Sequence, residues 1–518
     1  MIQPAERLYR IGEGIITAVA GLILLILTLN TFFVHIHINM ERGELFLLRN
    51  GAVYFAVLIL VILGMVVLKK PLGHFSEKQI FLFFSGCYLA GGIFLILNQG
   101  GGINDDAAII FSYVEKFNVG DYSALNDARY FSYNPTLLGL LTYERLLSRI
   151  SYDPLLYYFA ELFFLMLADF LIWRLSALLI PGDVNSLKRK YVIVLQHLFL
   201  AAFFHILLVY GMIVGLSLSV LTLYLLVREQ KSSRIPVRIL YAGGAVLSMI
   251  CAYNIKQNYG IMLVAVVILE CMDFLQSRRK GNLLLILVMV IIVIGSQKLL
   301  LNSYRSVSGI DMGTGEPIQT YFAMGLQDNE VNPLRAGWYN GYNFETYEDN
   351  DFDETVTRQL ADQEIADRLS FFAAHPGEAV WFFERKLLTT WSEPTYECIA
   401  RGPSEAKGRT NQTAVLQSLY EGDWLYQIYE VYQWAIDLLI YALAFWGIIR
   451  RLRRRKPFEV CQLLPYLYLI GGFLFHLVSE TKSSYVFMYV YMLVPAAAAV
   501  LAEMMNEIEN RPLKNKTM

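Results

Sequence analysis

Residues 51–68 read GAVYFAVLILVILGMVVL, with no charged side chain and a single hydroxyl, on Tyr54. An apolar run of this length, wound as an α-helix, crosses the hydrocarbon core of a bilayer. Lipid offers no water to backbone polar groups, so such a run pairs them within its own segment. Similar runs flank it at 13–36 and 79–97. Others follow at 154–180, 191–209, 211–227, 238–253, 258–275, 282–300, 428–449, 459–478 and 485–503. Over the whole chain 56% of residues are hydrophobic and 17% charged, less charge than a soluble protein of 518 residues carries. The sequence predicts an all-α membrane protein, a polytopic bundle of about 12–13 transmembrane helices with a mixed extracytoplasmic cap segment. The stretch 13–36 is too long for the apolar core of a cleavable signal and has no small-residue cleavage site after it, so it is expected to stay as a span.

Basic residues in short loops set the orientation. Lys69, Lys70 and Lys78 mark one loop; Lys188, Arg189 and Lys190 a second; Arg228, Lys231, Arg234 and Arg238 a third; Arg278, Arg279 and Lys280 a fourth. The run Arg450 to Lys456 marks a fifth. All five fall on one side if the N- and C-termini are cytoplasmic in the cell membrane. The last run is read as a juxtamembrane topology signal and not as a nucleic-acid patch, so no nucleic acid is expected as a partner. Four regions result: an N-terminal pair of spans (1–78), a core module (79–300) with an acidic first outer loop (98–153), an extracytoplasmic segment (301–427), and C-terminal spans with a cytoplasmic tail (428–518). In the first loop, 134–150 alternates leucines with Tyr143, Glu144, Arg145 and Arg149. It is too short and charged to span, and is expected to lie in the interface as an amphipathic helix. The outer segment carries two helical patterns, from about Glu354 to Phe372 and from Pro376 to near Trp391. The triplet Asn411-Gln412-Thr413 fits a glycosylation acceptor but arises often by chance. The five cysteines imply no disulfide framework.

Most of the polar residues able to do chemistry fall on the outer face. Asp105 and Asp106 sit side by side where the span 79–97 gives way to the first loop, after Gly100, Gly101 and Gly102. Carboxylates at a membrane rim are costly unless used, and glycines allow close approach of a ligand. The pair is suited to a general base, a divalent-cation clamp or a cation site. Lys256, in a turn with Asn258 and Tyr259, breaks the inside bias of positive charge; it either snorkels or holds a lipid-linked phosphate. His476 and Glu480 stand four apart, expected on one helix face, with Lys482 and Tyr485 following. Within one span, Asp169 is expected to pair with Arg174 or, with Glu161, to mark a polar path. There is no Walker loop, dinucleotide fingerprint, HExxH or zinc-spaced Cys/His group, so an internal nucleotide engine is not supported.

In this order and sidedness the motifs resemble those of the GT-C superfamily of integral-membrane glycosyltransferases, in its branch of bacterial relatives of protein O-mannosyltransferases and aminoarabinose transferases. The residues that carry the likeness are Asn104-Asp105-Asp106 with Gly120-Asp121-Tyr122-Ser123, Lys256/Asn258-Tyr259, Ala323-Met324-Gly325-Leu326 and Gly341-Tyr342-Asn343. Phe382 to Lys386, Trp391-Ser392-Glu393-Pro394-Thr395, and His476 with Glu480, Lys482 and Tyr485 complete the set. Departures are the second span before the acidic loop, Ser479 before Glu480, and Ala107 after the doublet. The resemblance implies a polyprenyl-phosphate-linked sugar as donor and a cell-envelope glycan, lipid or protein as acceptor, with transfer on the outer face by inversion. It implies Asp106 as base, on its spacing to Gly120, with Asp105 as helper or alternative. Lys256 and Lys482 would face the phosphate, and Asn258, His476, Glu480 and Tyr485 would line the substrate site. No cofactor is assigned for certain: the adjacent carboxylates could hold a divalent cation or act without one, and membrane lipids are the remaining partners. The rival classes are a polytopic transporter or flippase, which would show inverted repeats, and an oligosaccharide polymerase of another fold.

Overall fold

The computed structural model describes residues 4–126, 129–180, 186–402 and 413–509. Asn411 and Gln412 lie outside the described residues. Helix α1 (Pro4–Phe33) leads into a hairpin, β1 (Val34–Ile38) and β2 (Leu45–Arg49). Then come α2 (Ala52–His74), α3 (Glu77–Asn98), α4 (Asp105–Asn118), α5 (Tyr130–Tyr133) and α6 (Leu138–Ser148). The bundle continues with α7 (Pro154–Leu179), α8 (Leu187–Leu198), α9 (Leu200–Phe204), α10 (Met212–Lys231), α11 (Ile235–Ile255), α12 (Gly260–Ser277) and α13 (Lys280–Ser308). Between the bundle helices α13 and α19 the chain forms α14 (Ile318–Gly325), α15 (Tyr342–Glu348), α16 (Glu354–Ala374), α17 (Pro376–Trp391) and α18 (Ala414–Tyr420). The chain closes with α19 (Trp424–Arg454), α20 (Leu464–Val478) and α21 (Phe487–Glu509).

Among the described residues, 10 helices are long and apolar enough to cross a membrane, or 11 if α8 and the helical stretch that follows it, bent by 47°, form one broken span. The protein is therefore an all-α multi-pass membrane protein. The expected span 428–449 lies inside α19, which buries Glu430 and Asp437. The hairpin is a departure from expectation: α1 ends at Phe33, and the alternating Val-His-Ile-His-Ile pairs antiparallel with 45–49. Its Ile36 N–H donates to Ser392 O at 2.9 Å, and His37 Nδ1 meets Glu430 Oε1 at 2.8 Å, so the hairpin joins the end of α17 to α19.

Some of the tightest contacts flank the ends of α11 and α20. Helix α6 does not span; its buried Leu138, Leu140 and Leu141 pack on α4 and α11, so its apolar face meets protein where an interfacial helix would meet lipid. At Gly139 an added Cβ would stand 1.8 Å from the carbonyl oxygen of Asn254, two residues before Lys256. A backbone carbonyl cannot rotate away as a side chain can. Gly139→Ala is expected to destabilise the protein by about 1–3 kcal/mol, read as a lowered thermal midpoint in detergent. An unchanged midpoint would mean that α6 and α11 approach less closely.

Asp169 does not pair with Arg174. Residues five apart on a helix point to different faces. Asp169 turns inward, where its Oδ1 accepts from Tyr491 Oη and its Oδ2 stands 3.7 Å from His197 Nε2; Arg174 stacks over Trp173. Helix α20 ends at Val478, so His476 and Glu480 do not share a helix face.

Candidate active site

Two chain breaks present the central groups. Between α9 and α10 the chain turns sharply through Val209 (φ +38°), Tyr210 and Gly211 (φ +72°). A β-branched residue in the left-handed region is uncommon and marks a turn fixed by its surroundings. Gly211 is required there, since a Cβ would lie 2.7 Å from Ile255 Cγ2. The turn aims Tyr210 at the start of α4. Between α11 and α12 the backbone extends at Lys256 (φ −151°, ψ 115°) and enters the one-turn helix Gln257–Tyr259. The Tyr259 ring lies so close over Gly215 that a Cβ would fall 2.1 Å from it, and its hydroxyl donates to Met212 O, pinning the Lys256 turn to α10.

These breaks bring distant side chains together. Tyr210 Oη donates to Asp106 Oδ2 at 3.5 Å, and Lys256 Nζ sits 3.7 Å from the Tyr210 ring centroid. On the other side Lys256 Nζ stands 5.8 Å, and Lys482 Nζ 5.1 Å, from the centroid of the Tyr485 ring. Among the described residues, neither lysine reaches a carboxylate within 4.0 Å. Burial brings the Lys256 ammonium down to about 7, with Lys482 and Arg401 pushing the same way and Asp106 and Glu480 opposing. Burial likewise lowers Lys482 and raises Glu480. Two cations and a carboxylate thus share one poorly hydrated region without direct pairing.

Asp105, at φ +57°, points to another partner. The Arg401 guanidinium donates to its Oδ2 through Nε at 2.8 Å and through Nη2 at 2.5 Å. Asn104 Nδ2 donates to Gly402 O at 2.7 Å, so residues 401–402 clasp the start of α4 from outside. Asp105 is ion-paired, whereas Asp106 makes no ion pair among the described residues and is met by the hydroxyls of Tyr210 and Tyr130. A crevice of about 10 Å³, the size of a single water, lies beside the doublet, lined by Asp105, Asp106, Leu208, Tyr210 and Arg401. With Asp105 held by a guanidinium, a clamp of both carboxylates around a divalent ion would have to displace Arg401. No three His, Cys, Asp or Glu side chains group as a ligand set among the described residues.

The segment between α13 and α19 holds the Lys482 loop. Glu393, fully buried, accepts from Thr395 N–H (2.7 Å), Thr395 Oγ1 (2.6 Å), Glu397 N–H (2.8 Å) and Ser483 Oγ (2.8 Å). Burial lifts its carboxyl to about 7 against these donors. Glu397 Oε2 accepts from Ser484 Oγ at 2.7 Å. Lys386, brought to about 7 by burial, donates to the carbonyls of Gly325 and Ser479. Glu480 N–H donates to Tyr321 O at 2.8 Å and Thr481 N–H to Gly337 O at 3.0 Å. A Cβ on Gly325 would stand 2.3 Å from the Ser479 carbonyl carbon, so the two backbones touch.

Of the residues singled out from the sequence, Asp106, Lys256, Lys482 and Tyr485 meet around Tyr210, with Glu480 beside them. His476 stands one layer back, its Nδ1 3.2 Å from Thr481 Oγ1 and its ring 6.0 Å from that of Tyr485. Asn258 lies on the same short turn as Lys256, half-buried and without a side-chain hydrogen bond among the described residues. Tyr210 and Arg401 were missed. Tyr210 was legible as the single residue left between the apolar runs 191–209 and 211–227. A lone arginine in a long loop gave no signal.

No curated protein matches the sequence. A solved structure titled as ArnT from Cupriavidus metallidurans in the apo state is similar over 82% of this chain and 78% of its own, at 10% identity and a TM-score of 0.35. Residues 9–310 match the family described as conserved hypothetical integral membrane protein. That match spans more than half of the sequence, and the chain belongs to this family of integral membrane proteins.

Proposed function

We propose that the chain is a glycosyltransferase of the GT-C type, moving a sugar from a polyprenyl-phosphate donor to an acceptor hydroxyl at the outer membrane face. The observation that carries this reading is the Asp106 carboxylate and the Lys256 ammonium, neither in an ion pair among the described residues, meeting on different parts of one tyrosine, Tyr210. Unpaired buried charges gathered in one place are expensive, and functional sites are where such expense is kept.

In the proposed reaction Asp106 accepts the proton of the acceptor hydroxyl as its oxygen attacks the anomeric carbon. The new carbon–oxygen bond forms as the bond to the donor phosphate breaks on the opposite face, giving inversion. The electron pair leaves with the polyprenyl phosphate, which gains one negative charge. Lys256 and Lys482 stabilise that charge, being already desolvated and aimed before it develops. Arg401 fixes Asp105, so that Asp105 positions the start of α4 while Asp106 does the chemistry. No nucleotide is consumed at this face.

The test is transfer of labelled sugar from a synthetic polyprenyl-phosphate donor by the purified protein in liposomes, alongside cell-surface glycan profiles with and without the protein. Transfer that requires the protein supports the reading; unchanged glycans together with no transfer from any such donor overturn it.

The Lys256 shift adds a pH dependence. Its ammonium is fully present below about 7 and is lost as pH rises through that value. A bound phosphate favours the charged form, so binding takes up a proton. Donor affinity is expected to be flat below about 7 and to fall above it, by up to about tenfold per pH unit. Binding isotherms between about pH 6 and 9 check this, and a flat affinity would remove Lys256 from the phosphate site.

A further inference from the structure

A second cavity, of about 450 Å³, opens at the other end of the bundle, where α19 and α21 finish. Small residues leave the space: Gly447 on α19, and Pro495, Ala496 and Ala499 on α21. Leu179, Ile180 and Val500 add half-buried apolar wall. The rim is cationic, with Lys188, Arg450, Arg451, Arg454 and Lys456.

Most of these cations have partners. Lys188 Nζ stands 2.6 Å from Glu503; Arg454 stands 2.7 Å from Glu507 and 3.7 Å from Glu503. Arg450 reaches Glu503 at 3.5 Å and also contacts Glu507. Arg451 donates to Pro457 O and Gln462 Oε1, both at 2.8 Å. Lys456 is exposed and makes no ion pair among the described residues. With Glu459 counted among the anions, the rim keeps an excess of two positive charges. Acyl chain fits the wall and an anionic group fits the rim. A soluble phosphate would satisfy the rim and leave the wall wet. A zwitterionic headgroup would cover the wall but bring its own ammonium to a cationic rim.

We propose that this cavity binds an anionic glycerophospholipid from the leaflet at this end, phosphodiester at the rim and acyl chain against α21. The site is independent of the proposed transferase chemistry, so either can fail alone.

The test is native mass spectrometry of the full chain, delipidated and titrated with phosphatidylglycerol, phosphatidylcholine or glycerol phosphate. An excess of two charges is expected to favour phosphatidylglycerol over phosphatidylcholine by about thirtyfold, with no retention of glycerol phosphate. Ala499→Trp, which puts an indole where the acyl chain would lie against α21 and leaves every charge in place, is expected to abolish the preference. Lys456→Gln, an exposed substitution with no contact to lose, is expected to reduce it about fivefold. Equal retention of the two lipids by the unsubstituted protein overturns the proposal. So does full preference in a folded Ala499→Trp protein or, if that variant does not fold, in Lys456→Gln. Retention of glycerol phosphate without a lipid preference would make the site one for soluble anions.

Discussion

Asp106→Asn is expected to lower the rate of sugar transfer by about 10²–10⁴-fold, the range that a positioned general base contributes. The substitution is nearly isosteric, and the amide oxygen still accepts from Tyr210 Oη, so folding should be unaffected. Donor binding should largely survive, because Lys256 Nζ lies over the face of the Tyr210 ring while Asp106 meets its hydroxyl. The loss should therefore appear in kcat, with KM for the donor little changed and the thermal midpoint equal to that of the unsubstituted protein. Asp105→Asn gives the internal contrast. It breaks the fork with Arg401, and its cost should appear as a lowered midpoint with a smaller loss of rate. If the two variants exchange these roles, Asp105 is the base. If neither loses transfer, the site lies elsewhere.

Lys256→Met is expected to cost about 10²–10³-fold in kcat, the magnitude associated with removing one preorganised group that stabilises developing charge. Methionine has similar length and no charge, and the side chain it replaces is 9% exposed without a carboxylate in contact. Removing a buried unpaired ammonium relieves a desolvation penalty. The variant should thus be at least as resistant to heat as the parent while inactive. A variant both inactive and unstable would assign Lys256 a structural role, through its stacking on Tyr210. A variant that is stable and active would remove it from the site.

The spans were legible because a bilayer demands length and apolarity, which composition displays directly. The helices at 354–374 and 376–391 were legible from a starting Pro376 and from periodicity. The hairpin was not, because Val-His-Ile-His-Ile continues an apolar run and its strand character depends on pairing with Leu45–Arg49. Sidedness placed Asp106, Lys256 and Lys482 on one face, which made their meeting plausible before coordinates. It could not tell which half of the doublet is ion-paired. That difference rests on Arg401, 296 residues away from Asp105 along the chain, and on a turn at Val209–Gly211 that no propensity foretells. The expected Asp169–Arg174 pair failed for a local reason, helix geometry, and was correctable from the sequence alone.

The touching backbones of Gly325 and Ser479, stitched by the Lys386 ammonium, bear on traffic. A roof fastened at that seam, and again where Thr481 and Gly337 join, is poorly suited to lifting as a hatch. If the chain is the transferase proposed above, a lipid-linked donor bound for Asp106 would then have to slip in sideways between helices, its tail never leaving the oil.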